Sequence, residues 1–84
     1  MLTHTIGNTG YMIREAMQAK AYKYDKSNYE QALELQSEAK DYLRGTHKKG
    51  RSTEQALVLT KQAYDLAKKA RDTALSAQHL RVSS

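Results

Sequence analysis

Eight consecutive residues of this chain have the spacing of a phosphate-binding loop. Gly45-Thr-His-Lys-Lys-Gly50-Arg51-Ser52 follows the pattern G-x4-G-K-[ST], with arginine in the lysine position. In that motif backbone amides cradle the phosphates of a nucleotide and the lysine reaches the terminal ones. The chemistry requires a buried parallel strand before the loop, a helix after it and a separate acidic residue that holds magnesium. Here a helical segment precedes the loop, and 84 residues are too few for the α/β domain. Nucleotide hydrolysis is therefore not expected. What the loop keeps is charge: Lys48, Lys49 and Arg51, with Ser52 at the start of the following helix, form a candidate site for a phosphate or carboxylate.

Other chemistry is sparse. His4, His47 and His79 are far apart, and none has a second ligand at helical spacing, so no metal site is expected. Cysteine is absent, which excludes disulfides and thiolate chemistry and suits a reducing compartment. No Ser/His/Asp arrangement or paired carboxylate can be argued from spacing. The residues predict no enzyme and no cofactor.

Fourteen Lys and Arg against nine Asp and Glu give a net charge of +5, which favours acidic partners. Lys61, Lys68, Lys69 and Arg71, together with the loop at 44–52, are the residues that nucleic acid would meet. Glu34, Glu38, Asp41, Asp65 and Asp72 dilute that stripe, and no recognised nucleic-acid-binding signature is present. No run of 18 apolar residues occurs, and residues 1–10 have neither the basic nor the apolar region of a signal peptide, so a cytoplasmic, soluble protein is expected.

The elements that must position these residues are helices. Proline is absent, and Ala, Leu, Gln, Glu and Lys dominate residues 11–80. The phrase Glu30-Gln31-Ala32-Leu33-x-Leu35-x3-Ala39-x-Asp41 returns 24 residues later as Glu54-Gln55-Ala56-Leu57-x-Leu59-x3-Ala63-x-Asp65. In the second copy Ala56, Leu59, Ala63, Leu66, Ala70, Thr73, Ala77 and Leu80 recur at alternating steps of three and four, a seam for packing helix on helix. In the first, Ala32, Leu35, Ala39 and Tyr42 do the same. Ser27 with Glu30, and Ser52 with Gln55, resemble capping boxes, and Gly45 is a left-handed helix stop.

The expected architecture is all-α: a small antiparallel three-helix bundle with helices at about 11–24, 28–43 and 53–79, an irregular arm over 1–10 and a flexible end over 81–84. In the first helix Met12, Ile13, Ala16, Met17 and Ala19 share one side. The third helix, roughly 40 Å long against about 24 Å for the second, overhangs its partner. Six tyrosines and no Phe or Trp mark a thin core covered by rings whose hydroxyls stay wet.

Residues 24–43, Tyr24-Asp25-Lys-Ser-Asn28-Tyr29-Glu-Gln-Ala32-Leu33-Glu-Leu35-x3-Ala39-x2-Tyr42-Leu43, resemble the first turn and second helix of the MIT domain. Lys61-Gln-Ala-Tyr-Asp-Leu-Ala-Lys-Lys69-Ala70-Arg71 is similar to that family's third-helix ending. The chain differs at Gln36, an aromatic position of the family, and at Arg71, where the ending usually has Glu. The resemblance spans about Ile13 to Thr73. It implies a three-helix bundle whose groove between the second and third helices receives a short helical segment of a membrane-remodelling filament protein.

From the residues themselves, the leading expectation is a module that binds a partner protein's amphipathic or acidic helix beside the long helix. Leu57, Tyr64 and Ala67 would form the groove floor, and Lys61, Lys68 and Arg71 would meet acids of the partner. The alternatives are nucleic-acid or phosphate binding through loop 44–52, and a homo-oligomer in which two overhanging helices pair.

Overall fold

The computed structural model describes the backbone of residues 2–83 and the side chains of residues 6–79. It is all-α. Four helices follow one another: α1 (Leu2–Gln18), α2 (Ala21–Tyr24), α3 (Lys26–Arg44) and α4 (Thr53–Ser83), in a molecule measuring 51 × 23 × 15 Å. Among the described residues no helix is long and apolar enough to cross a membrane.

Two expectations about the N-terminal third are corrected. The segment read as an irregular arm is helical from Leu2, and the expected helix over 11–24 is two helices. The break falls at Lys20, whose φ of 66° is left-handed. Its amide bonds back to the Met17 carbonyl, and α2 restarts with the Lys23 and Tyr24 amides both bonded to the Lys20 carbonyl. At the other end α4 continues through Ser83, so the expected flexible end at 81–84 is helical over its described residues.

Local chemistry sets the remaining boundaries. Asp25 precedes α3 and makes no side-chain cap to the helix. Its carboxylate accepts a hydrogen bond from Asn28 Nδ2 at 2.9 Å, and Ser27, expected as the cap, lies inside the helix. Gly45 ends α3 at φ 79°, with its amide bonded to the Asp41 carbonyl, the left-handed stop that glycine adopts without a Cβ clash. Ser52 Oγ accepts the Gln55 amide at 3.2 Å and so caps α4.

The pairs of touching residues give the directions. Tyr42 and Ala39 meet Ala56, Gln36 meets Thr60, Ala32 meets Ala67, and Tyr29 meets Ala70 and Ala74, so α3 runs antiparallel to α4. Thr9 meets Thr60, Met12 meets Ala67, Glu15 meets Arg71 and Ala19 meets Gln78, so α1 runs alongside α4 in the same direction.

Alanine fills the centre. Of the thirteen buried apolar residues described, ten are Ala, the others being Met12, Tyr29 and Tyr42. The buried row of α4 is Ala56, Thr60, Ala63, Ala67, Ala70 and Ala74, a strict alternation of four and three. The expected seam shares Ala56, Ala63 and Ala70 with this row, but its alternate positions fall one residue short: Leu59 and Leu66 are half-buried at its flank, and Thr73 is exposed. α4 packs on α1 and α3 at once. The middle of its buried arc must admit two backbones, which small residues allow and leucines do not. In α1 the row is Thr9, Met12 and Ala16, continued by Ala19 just beyond its end, and Met17 is half exposed. The side chain of Leu80 lies outside the described residues.

One layer of this core is polar. Thr9 Oγ1 donates to the Thr60 carbonyl at 2.9 Å; Thr60 Oγ1 lies 2.8 Å from Gln36 Oε1 and 2.9 Å from Thr9 Oγ1, sharing its single proton between them. Gln36 Nε2 donates to the Ile6 carbonyl at 3.1 Å. No buried side-chain nitrogen or oxygen among the described residues lacks a partner. The layer therefore ties α1, α3 and α4 together without a desolvation penalty left uncompensated.

Two stability predictions follow from these positions. Gln36→Ala leaves its partners short of hydrogen bonds and should lower urea-denaturation stability by about 1–3 kcal/mol, whereas the triple change Thr9→Val, Gln36→Leu, Thr60→Val removes donors and acceptors together and should cost less than the single one. Lys20→Gly removes the Cβ clash of a left-handed residue and should raise stability by up to about 1 kcal/mol in the same assay, the relief exceeding glycine's added chain entropy.

Candidate functional site

The phase of α1 and α4 decides which side chains meet at the surface. Asn8 and Thr9 from α1, and Leu57, Lys61, Tyr64 and Asp65 from α4, line a groove of about 500 Å³. Leu57 is 46% exposed, and Tyr64 is half-buried, its ring packed on the cluster of Met12, Ala32 and Ala67. The groove thus has an apolar wall that is already anchored in the core and a lysine at its rim. Tyr11, 61% exposed on α1, adds a second ring on the same side of that helix.

Three of the six residues expected to hold a partner are therefore brought together, namely Leu57, Lys61 and Tyr64, and three are not. Ala67 is fully buried beneath Met12 and Ala32, so it is core and not groove floor. Arg71 is committed within the molecule, with Nη1 3.0 Å from Glu15 Oε1 and Nη2 2.9 Å from Asp72 Oδ1. Its guanidinium is held above its ordinary range, first by the hydrogen bond to Asp72 and then by that to Glu15. Lys68 is exposed and lines a separate shallow depression on the outer face of α4 with Asp65, Lys69, Asp72, Thr73, Ser76 and Ala77. The groove also belongs to α1 and α4, not to the two halves of the repeat, α3 and α4. Sequence reasoning missed Asn8 and Thr9 because α1 was thought to begin after them; the signal was the step Ile6, Thr9, Met12/Ile13, Ala16, which is already helical.

The basic loop has a different geometry from a phosphate cradle. The amides of Thr46 and His47 bond to the Asp41 carbonyl, Gly50 to the His47 carbonyl, Ser52 to the Tyr42 carbonyl, and Lys49 to His47 Nδ1. Ser52 Oγ is engaged with the Gln55 amide. The amides of Thr46, His47, Lys49, Gly50 and Ser52, which a phosphate loop would turn toward its ligand, are turned inward here. The side-chain charges of Lys48, Lys49 and Arg51 face solvent. Arg51 lies against Gly45, so close that a Cβ there would sit 3.4 Å from its Nε.

Other chemistry stays thin. Among the described residues no group of three or more His, Cys, Asp or Glu side chains could hold a metal ion. His79 is exposed near the end of α4, and the side chain of His4 lies outside the described residues. The tyrosines divide: Tyr29 and Tyr42 are buried, Tyr22 and Tyr29 meet edge to face with centroids 6.3 Å apart, and the Lys23 ammonium lies 5.9 Å from the Tyr24 ring centroid.

No family model, curated protein or solved structure matches the chain.

The groove's α1 rim carries a titratable reporter. The Tyr11 hydroxyl is hydrogen-bonded to Glu15, whose bond and negative charge both raise its pKa above the usual phenol range. The neutral phenol is the favoured form, so this contact supports the fold below the unfolded tyrosine's range and is lost as pH rises through the raised value. Ultraviolet titration of tyrosinate should show Glu15→Gln bringing one late-ionising tyrosine back among the others; an unchanged curve would mean that Tyr11 does not sense Glu15.

Proposed function

We propose that this chain is a non-enzymatic helical module that binds another protein by receiving an amphipathic helix in the groove between α1 and α4. The observation that carries the reading is the convergence of Leu57, Lys61 and Tyr64 on one concave surface next to Asn8 and Thr9. An apolar wall beside an exposed lysine suits a helix with a leucine-type anchor flanked by acids. The protein's charge of +5 favours the same class of partner. In this reading the molecule is a three-helix bundle of the MIT kind, with the one-turn α2 an elaboration of its first turn, and the partner sits beside the first helix, not between the second and third.

Two features support placing the partner here. Tyr64 is held by core contacts and so loses little side-chain freedom on binding, the property that makes a rigid aromatic an effective anchor. Leu57 is the opposite case, an apolar residue still 46% exposed, whose remaining burial by a partner would contribute on the order of 1 kcal/mol.

A displayed library of amphipathic helices, selected against the intact protein, tests the proposal without presupposing the natural partner. Binders should be rich in Glu and Asp, should shift the amide signals of Asn8, Leu57, Lys61 and Tyr64, and should be lost on Leu57→Asp while circular dichroism is unchanged. Lys61→Glu should weaken them roughly tenfold, about 1.4 kcal/mol. Selected helices that bind Leu57→Asp as well as they bind the wild type would sink the assignment.

A further inference from the structure

One histidine takes no part in the groove, yet it organises the opposite end of the molecule. The ring of His47 stacks on Tyr42, centroids 3.8 Å apart and planes 12° from parallel, and its side chain is only 9% exposed. Both ring nitrogens are engaged. Nε2 lies 3.0 Å from Glu38 Oε2, and Nδ1 accepts the amide of Lys49 at 3.0 Å. An amide only donates, so Nδ1 carries no proton. The ring is therefore the neutral tautomer, with its proton on Nε2 directed at the Glu38 carboxylate.

The groups around it are few. From α3 come Glu38, Tyr42 and Asp41, the last with its carboxylate accepting the Thr46 hydroxyl at 3.2 Å. From the loop come Lys48, Lys49 and Arg51, whose side chains are exposed, and α4 begins with Glu54, also exposed. Among the described charged side chains, Glu38 alone is within hydrogen-bond distance of the ring. The loop's tip hangs from His47 by two bonds, Lys49 amide to the ring and Gly50 amide to the His47 carbonyl at 2.8 Å.

We propose that His47 is a pH-operated latch on the α3–α4 loop, holding the cationic tip 48–51 when neutral and releasing it when protonated. A proton taken up from solvent goes to Nδ1, the one vacant ring nitrogen. That turns the acceptor for the Lys49 amide into a donor facing a donor, and the contact is lost. The bond from Nε2 to Glu38 becomes one between ions and strengthens. Protonation thus does not free the ring; it shifts the hold from the loop to α3. The ring stays on Tyr42 and Glu38, and the tip with Lys48, Lys49 and Arg51 comes away from it. The latch would therefore control how a threefold-cationic tip is presented, fixed while the ring is neutral and free once it is protonated.

Amide hydrogen exchange of the full chain, followed by nitrogen-resolved NMR from about pH 7.5 to about pH 5, where histidines change charge, tests this. The protection factors of the Lys49 and Gly50 amides, corrected for the intrinsic pH dependence of exchange, should fall about tenfold in step with the titration of the His47 ring protons. The contact between the His47 and Tyr42 rings should persist. Glu38→Gln keeps the neutral geometry but removes the charge that rewards protonation, so it should move the transition to lower pH. His47→Gln cannot take up the proton and should abolish it. Protection at Lys49 that stays constant through the His47 titration, a transition that survives His47→Gln, or one that Glu38→Gln leaves in place, overturns the latch.

Discussion

The structure rests on the small side chains that α4 presents where the long helices meet. Ala56, Ala63, Ala67, Ala70 and Ala74 of α4 face Ala16, Ala32 and Ala39 of its neighbours, so the helices can approach closely and each contact is small. Dispersion between such surfaces is effective only when no gap is left, because a fraction of an ångström forfeits much of each contact. On α4 the larger apolar residues are accordingly pushed to the margins. Leu57, Leu59, Tyr64 and Leu66 sit along the flanks of α4, and the groove exists because a bulky flank overhangs a narrow seam.

A core of identical small residues specifies direction poorly, since one alanine row slides over another with little change in contact. The layer of Thr9, Gln36 and Thr60 supplies what the alanines cannot. Its bonds are directional, and a slip of one turn would leave buried donors and acceptors unmet. Gln36 is thus the residue through which α3 is bonded to both α1 and α4 in this layer. At the loop end the order has another source, His47 on Tyr42, which closes the bundle over Ala39 and Ala56.

Much of this was legible in the residues, for reasons that particular elements make clear. The all-α class followed from composition and the lack of proline, and the end of α3 from Gly45, because both are local properties of the chain. The phase of the seam was not legible. Leucines at the right period look like core, and only the presence of two neighbours, on either side of α4, moves the centre of burial onto the alanines. The start of α1 was hidden by Gly7, Gly10 and three threonines, poor helix formers whose local preference is overridden once Thr9 finds Thr60 from 51 residues away. The stop at Lys20 has no signature at all, since lysine is a good helix former and takes the left-handed conformation only because Tyr24 and Ala21 are drawn into the cluster of Ala19, Tyr29, Ala70 and Ala74. For the groove, the α4 half could be read from exposed positions beside the seam, but Ala67 and Arg71 could be sorted from Leu57 and Tyr64 only by knowing where α1 lies.

The repeated phrase leaves one more consequence. Its two copies fold onto each other, and residues 36 and 60, which occupy the same place in each copy, meet across the interface. Were they identical, the two copies would offer α1 the same group at this layer. Because one is an amide and the other a hydroxyl, the hairpin has lost its twofold symmetry at its midpoint, and Thr9 reads the difference. The copies differ at other positions too, but the pair at 36 and 60 lies where they meet and where Thr9 joins them, and so it helps give the bundle a left and a right.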